Sequence, residues 1–423
     1  MRSNRKMIEL SESKQKKLIF VCFIMYASIY LAKLNYSAML VEILKDLGGT
    51  RSAAGMVGSF FFFAYGVGQA LSGFLIKRLN RKYVVTFSLF GSAVCNMLMS
   101  LAQSVSVMKY IWLANGLVMS VLWCCVIKEQ STYLSAKNLP MSISVMGLTT
   151  PIGTALNYGI SALIAAVTDW RVSFWLASAL MLFMSVLWFL TLSDIERSAV
   201  VKSIDNSDTN DVKTKTEVKK NSKSTATVIG IWVIFVAVMI TQFTRDGLTT
   251  WVPSILYDVY NMPTTISVAL TLLLPLLSSI SNFVLVALEK RCRDFVILSI
   301  GFIAVSALFG IVLVTCYGLN SVVITMLCFI VMCASCSGMA NLATNHVPLY
   351  YRDRFDSGVL AGVGQGFAYL GSTVSTYALG LVADKGGWYN VFLLLSIVIS
   401  VALIMCIIFK IATKEKHHHP RYI

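Results

Sequence analysis

The chain has 423 residues, 57% of them hydrophobic and 13% charged, against roughly 25% charged in a typical soluble domain. With a mean hydropathy of +0.74, this composition excludes both an ordinary soluble enzyme and a disordered chain. The net charge of +15, from 35 Lys and Arg against 20 Asp and Glu, would suggest nucleic acid in a soluble protein; between apolar segments it bears instead on membrane orientation.

Crossing a hydrocarbon layer of ~30 Å takes about 20 apolar residues, and twelve stretches meet that length. The first six cover about 18–40, 53–76, 83–102, 107–132, 141–167 and 171–193; the second six cover about 228–251, 265–288, 295–316, 321–347, 358–383 and 389–412. The expected architecture is an all-α membrane protein of twelve transmembrane helices in two pseudo-symmetric six-helix bundles, 18–193 and 228–412. A polar segment, 194–227, reads as a mostly disordered linker because it holds no apolar face. Residues 1–17 and 413–423 are the tails. The first apolar run exceeds a signal-peptide core and contains Lys33, so it is expected to stay as a helix of the mature protein.

Positive loops stay cytoplasmic. With the N-terminus inside, 28 of the 35 cations fall on the cytoplasmic side, and only Lys45, Arg51, Lys109, Arg171 and Lys385 fall outside. The last two, Lys33 and Arg245, lie within spans. Nine of the ten cysteines sit in or at the ends of spans, so structural disulfides are not expected; Cys333 and Cys336 read as packing despite their redox-like spacing.

A cation near the bilayer centre costs on the order of 2.5–3.5 kcal/mol on insertion scales, so Lys33 and Arg245 call for an explanation. Lys33 lies roughly 6 Å past the midpoint of the first span and Arg245 roughly 8 Å past that of the seventh, at 1.5 Å per residue. These helices open the two halves, so pseudo-symmetry would set the cations across a central cavity. Helical spacing places Tyr26, Tyr30, Lys33 and Ser37 on one face, Gln242, Arg245 and Thr249 on another, and Tyr65, Gln69 and Ser72 on a third. Phenol, amide and hydroxyl groups about two cations describe a receptor for an oxyanion. The competing reading pairs each cation with Asp246, Glu42 or Glu129; it is disfavoured because Asp246, next to Arg245 in sequence, points about 100° away on a helix, and the glutamates lie near span ends. Phe60 to Phe63 read as lipid-facing or packing surface. With no Glu or His in mid-span, the site carries two fixed cations and no proton relay, which favours anion exchange over proton coupling.

These residues resemble the organophosphate:phosphate antiporters of the major facilitator superfamily. Tyr26-Ala27-Ser28-Ile29-Tyr30-Leu31-Ala32-Lys33-Leu34-Asn35 is similar to that family's first-helix motif of tyrosines followed by a cation and Asn. Arg245-Asp246-Gly247-Leu248-Thr249-Thr250-Trp251-Val252-Pro253 matches its Arg-x-Gly-x-x-x-Trp-x-Pro pattern, and His346, Gly358 to Gly371 and Asp384 to Trp388 extend the likeness. The resemblance implies rocker-switch exchange of a phosphorylated metabolite for phosphate, with Arg245 gripping the phosphoryl group, Lys33 as its partner, Tyr26, Tyr30 and Tyr65 lining the route, and Gln69 as a polar contact beside Gln242. The chain departs from the pattern in three places: Lys33 stands where the family usually has Arg, Thr149-Thr150-Pro151-Ile152-Gly153 lacks the fifth-helix His of glycerol-phosphate carriers, and Lys77 stands at the acidic position of the Gly-x-x-x-Asp-Arg loop. That loop keeps Gly73, Arg78 and Arg81, for which a conformational role is expected. Lys128 and Glu129 either join a cytoplasmic gate or mark the membrane boundary by snorkelling. His346 reads as a helix-end hydrogen bond, and His417, His418 and His419 as solvent-exposed.

No Walker pattern occurs, so no ATP-driven pump, cofactor, metal or catalytic chemistry is expected. The expected protein is a monomeric antiporter in the inner or plasma membrane, with both termini cytoplasmic, a small anionic substrate and no nucleic-acid partner. The alternatives are a transporter-like sensor of a phosphorylated metabolite, and a carrier of a carboxylate or phosphonate.

Overall fold

The computed structural model describes residues 6–75, 79–135, 137–198, 200–203, 225–292, 294–351, 355 and 357–413. Most of the linker (204–224), the 414–423 tail with its three His and Arg78 lie outside the described residues. Among those described, the chain is helical apart from an antiparallel ribbon of β1 (Lys6–Glu9) and β2 (Val200–Ser203). Eleven stretches are long and apolar enough to cross a membrane; the last, Val359–Thr413, runs to 55 residues. Within it Gly387 takes φ 72°, dividing two helices. The architecture agrees with the all-α, two-half reading.

In the first half, α1 (Glu12–Lys33) and α2 (Asn35–Leu47) form one pass, followed by α3 (Arg51–Leu75), α4 (Arg81–Leu101), α5 (Val105–Met119), α6 (Leu122–Tyr133), α7 (Leu139–Gly147), α8 (Thr149–Val167) and α9 (Arg171–Ser198). The second half holds α10 (Thr225–Tyr260), α11 (Thr264–Thr271), α12 (Leu273–Ser278), α13 (Ile280–Arg291), α14 (Phe295–Thr315), α15 (Val322–Asn341), a π-helical turn at Leu342–His346, α16 (Val347–Tyr350) and α17 (Ser357–Thr413). Hydropathy treats each pass as one rod, yet the first breaks at Leu34 and the eighth at Leu272 and Ser279. Helix α1 already begins at Glu12 and α9 runs on to Ser198. Their near ends are joined by Lys14 and Lys17, both paired to Asp194 at 3.0 and 3.3 Å.

The break at Leu34 has its hydrogen bonds accounted for. In a membrane interior a freed carbonyl needs a protein partner, and the Ala32 carbonyl accepts from Asn115 Nδ2 at 3.1 Å and Asn96 Nδ2 at 3.4 Å. Asn35 Nδ2 donates to Asn96 Oδ1 at 2.9 Å, and the Tyr36 amide to Asn35 Oδ1 at 3.0 Å. Three buried asparagines thus hold α1 so that it ends on Lys33, where a cation also meets the negative end of the helix dipole.

The halves meet along α3 and α17 at one end of the bundle. Arg51, first residue of α3, reaches Asp258 of α10 at 2.8 Å and Asp384 of α17 at 3.7 Å. A Cβ on Gly55 would come within 2.1 Å of the Thr376 carbonyl oxygen, and one on Gly380 within 2.6 Å of that of Arg51; only glycine permits this approach. Ser59 Oγ, deeper in, donates to the Thr373 carbonyl at 2.6 Å. At the opposite end, the ion pairs among the described residues stay within one half: Arg81 with Glu129, Lys82 with Glu196, Lys410 with Asp294, His346 with Glu289. The conformation is one closed at the Arg51–Asp384 face.

Candidate anion site

Lys33 is the last residue of α1, in the first half, and Arg245 lies within α10, in the second. The Lys33 Nζ faces aromatic rings: 4.4 Å to the Tyr65 centroid, 5.8 Å to Phe61 and 6.0 Å to Tyr369. Among the described residues no carboxylate lies within ion-pair distance of it. The ring quadrupoles attract the ammonium by roughly 0.5–2 kcal/mol each, more where water is excluded. That attraction holds the head group against the rings of both halves without committing it to an acid.

Two ring partners were not singled out by sequence reasoning. Phe61 belongs to a run expected to face lipid or fill packing; it is buried and stacks near Tyr65 at 5.8 Å. Tyr369 comes from α17, in the other half, with its ring 5.1 Å from Tyr65 and 6.5 Å from Phe62. Only the Gly358–Gly371 resemblance touches its neighbourhood, and nothing in the periodicity of one helix could pair it with α3.

Tyr30 and Tyr26 stand one and two turns before Lys33. The Tyr30 hydroxyl shares a 2.7 Å hydrogen bond with Thr150 Oγ1, so a threonine from the stretch without the fifth-helix His holds this phenol. Tyr26 is buried, edge-on to Tyr30 at 6.2 Å and against Trp123 at 4.9 Å, in the wall behind the site. Gln69 and Gln242 each have a buried Oε1 with no partner among the described residues. An orphaned amide oxygen in such a place costs about 1–3 kcal/mol, and a ligand hydroxyl would satisfy it.

One expectation is corrected. Arg245 Nε donates to Asp246 Oδ1 at 2.9 Å, the pairing that helix geometry argued against. The 100° between adjacent residues separates their Cβ directions, but the long Arg stem curls back along the helix and closes the gap. Asp246 Oδ2 in turn accepts from Ser372 Oγ of α17, and its side chain is 13% exposed. Lys33, Arg245 and Asp246 together carry a formal charge of +1, so the site is less positive than two bare cations, and an acid does stand in it. Thr249 Oγ1 bonds the Arg245 carbonyl at 2.8 Å, and Tyr158 Oη donates to the Thr249 carbonyl at 3.1 Å, tying α8 of the first half to the Arg245 turn.

Of the residues expected to act in gating, Arg81 Nε contacts Glu129 Oε1 at 2.7 Å, with Glu129 buried; Lys128 is exposed. Gly73 lies near the end of α3, and Arg78 is not among the described residues. His346 Nδ1 stands 2.7 Å from Glu289 at the π-helical turn, a helix-end contact.

Residues 18–355 match the family model described as Major Facilitator Superfamily. A glycerol-3-phosphate transporter of Bacillus subtilis (strain 168) is 23% identical over 249 residues, 56% of this chain and 56% of that one. Membrane sensor protein UhpC of Escherichia coli (strain K12) is 24% identical over 102 residues, 24% of this chain and 23% of that one. The chain thus spans about half the length of the first relative and a quarter of the second. A solved bacterial homolog of the human lysosomal transporter Spinster, inward-facing and occupied, superposes with a TM-score of 0.77 over 97% of this chain and 100% of that one, at 10% identity; that is a likeness of fold.

Proposed function

The chain belongs to the major facilitator superfamily as a multi-pass membrane transporter, and from that premise we propose that it exchanges an organophosphate, a sugar phosphate or glycerol phosphate, for inorganic phosphate. The observation that carries this reading is a cation within the opening helix of each half, Lys33 against the Tyr65 and Tyr369 rings and Arg245 one turn after Gln242, with the amide oxygens of Gln69 and Gln242 unpartnered among the described residues. The guanidinium presents a planar fork that suits phosphoryl oxygens, and Lys33 adds a movable point charge. Gln69 and Gln242 would accept from hydroxyls on the rest of the substrate. The likeness to a glycerol-3-phosphate transporter supports the substrate class. Alternating access fits a fold sealed at one face by Arg51, with ion pairs at the other face that, among the described residues, lie within halves. On this reading the termini are cytoplasmic and the sealed face is external.

The test is counterflow: proteoliposomes preloaded with labelled phosphate, challenged outside with sugar phosphates, glycerol phosphate, phosphonates and carboxylates. Phosphorylated substrates are expected to drive efflux; efflux driven by carboxylates alone would reject the assignment. Lys33→Arg is expected to keep exchange and tighten phosphate several-fold, since a fork replaces a point charge, whereas Lys33→Gln is expected to weaken it by at least ~10-fold, about 1.4 kcal/mol. Equal phosphate affinity in Lys33→Gln would remove Lys33 from the site.

A sensor is the second reading, favoured by the stretch shared with membrane sensor protein UhpC. It predicts saturable ligand binding with no counterflow in the same liposomes.

A further inference from the structure

Where the halves meet at the sealed face they leave a cavity of about 240 Å³, lined by Lys45 of α2 and Arg51 of α3 from the first half and by Ser254, Tyr257 and Asp258 of α10 and Asp384 of α17 from the second. Tyr257 follows Arg245 by twelve residues on the same helix, about 18 Å along its axis at 1.5 Å per residue, so the cavity is separate from the central site. Drug-sized ligands fill pockets of roughly 300–1,000 Å³; this one suits a small metabolite. We propose that it is a second, external binding site for a hydroxyl-bearing phosphate monoester, and that a molecule held there keeps the sealed face shut. The proposal goes beyond the exchange reading and takes from it only that the sealed face is external.

The ligand class follows from which polar atoms are already engaged. Asp384 accepts from the Arg51 and Ser52 amides through its two oxygens, and Asp258 Oδ2 accepts from Arg51 Nε and Nη2 and from Trp388 Nε1. Arg51 Nη1 lies 3.7 Å from Asp384, too far for a hydrogen bond, so its N–H groups are open to a ligand. Ser254 is 3% exposed, and its Oγ, in the cavity wall, has no partner among the described residues; a buried hydroxyl left so is a cost that a bound molecule removes. Lys45 donates to Glu42 and Thr264 at 2.9 and 3.0 Å and lies 4.1 Å from the Tyr257 ring centroid. Its ion pair with Glu42 is partly exposed, and ion pairs so placed are weak, so the ammonium can be shared with an anion. Open donors in the cavity therefore outnumber open acceptors, which selects an oxyanion. Asp258 Oδ1 has no donor among the described residues, which calls for a hydroxyl on the same molecule. Val41, Leu44 and the Tyr257 ring give its carbon skeleton an apolar wall. Inorganic phosphate matches the cations but has no skeleton for that wall, so it is the weaker ligand. Three carboxylates, Glu42, Asp258 and Asp384, against two cations keep the affinity of millimolar order.

Because its walls come from both halves, the cavity exists as built only while the face is closed. A ligand that binds one conformation better than another shifts the population toward it. External monoester filling this cavity therefore favours the closed face, in opposition to its capture by the central site once the face opens. Uptake then rises with external concentration as the central site fills, and falls at higher concentration as the outer site fills.

The test uses labelled glycerol phosphate and the purified full-length protein. Arg245→Ala combined with Asp246→Asn removes the central charges together, and in that background one saturable site is expected to remain. Adding Lys45→Gln is expected to weaken it at least ~10-fold and adding Ser254→Ala about threefold. Inorganic phosphate is expected to displace the label at least ~10-fold less well than unlabelled glycerol phosphate does, and glycerol not at all. No saturable binding in the folded double variant overturns the proposal, as does binding indifferent to Lys45→Gln; equal displacement by inorganic phosphate overturns the ligand class. Where the double variant does not fold, counterflow in proteoliposomes decides it: the rate is expected to fall at high external glycerol phosphate in wild type, and Lys45→Gln to abolish the fall. A wild-type rate that saturates without falling overturns the locking role. The two readings fail apart. No counterflow at any concentration rejects the exchange reading while Lys45-dependent binding stands, whereas saturating counterflow with no binding in the double variant rejects only the outer site.

Discussion

Arg245→Ala is expected to lower phosphate affinity by two orders of magnitude or more and to abolish counterflow. Truncating one partner of a desolvated, hydrogen-bonded charge pair costs about 2–5 kcal/mol, and ~1.4 kcal/mol is a factor of ten. The substitution also strips Asp246 of its cation, leaving a carboxylate at 13% exposure held by Ser372; an uncompensated buried charge itself destabilises by about 3–5 kcal/mol. Loss of transport through loss of fold must therefore be separated from loss of the site. Arg245→Ala combined with Asp246→Asn removes both charges together and is expected to recover stability while phosphate binding stays lost. Arg245→Lys keeps the charge without the planar fork and should fall between. Binding isotherms and thermal unfolding of the purified proteins decide it: normal exchange in Arg245→Ala would show that the anion is held elsewhere.

How much of this site could be read beforehand follows from what a linear pattern contains. Lys33 and Arg245 stand out because a cation in an apolar run is costly, and Tyr26, Tyr30, Gln69 and Gln242 follow because helical spacing shares out faces. Spacing sets where Cβ points and says nothing of how far a side chain folds back, which is why the Arg245–Asp246 contact ran against expectation. Hydropathy likewise carries no backbone geometry. The interruption at Leu34 depends on Asn96 and Asn115 from two other helices supplying donors to one carbonyl, and no window over α1 contains them. Tyr369 illustrates the remaining gap. It lies 336 positions after Lys33 in the sequence and reaches it only because the glycines of α3 and α17 let those helices nearly touch. The break at Gly387, by contrast, was legible: a polar Lys-Gly-Gly between two apolar runs needs a turn, and positive φ there falls on glycine.

Opening the sealed face should require undoing one compact cluster, so Arg51→Ala and Asp384→Ala are expected to shift the protein toward a state open on that side. Asp384, on α17, accepts from the backbone N–H of Arg51 at 3.0 Å and of Ser52 at 2.7 Å. It thus caps the first turn of α3 from the other half, satisfying amides that a helix start leaves unpaired. Arg51 bonds Asp258 through Nε and Nη2 at 3.1 and 2.8 Å, and Trp388 Nε1 donates to the same oxygen at 2.9 Å. Each contact is partly exposed: surface ion pairs contribute about 0–1 kcal/mol and a cap about 1 kcal/mol. Losing two or three of them tilts the balance by roughly 10- to 100-fold at ~1.4 kcal/mol per decade. Gly380→Ala should act in the same direction by another route, since its Cβ would stand 2.6 Å from the Arg51 carbonyl oxygen and forbid full closure. The measurement is a distance distribution between spin labels at Thr50→Cys and Lys385→Cys, with the partly exposed Cys124, Cys292 and Cys316 replaced by serine. Wild type is expected to show the short distance, and the three variants a longer population that grows from Arg51→Ala to Asp384→Ala, because Asp384 supplies both the cap and an ion pair. A distribution unchanged by all three would mean that closure rests on the apolar contacts of α3 with α17 and that the polar cluster follows closure without causing it.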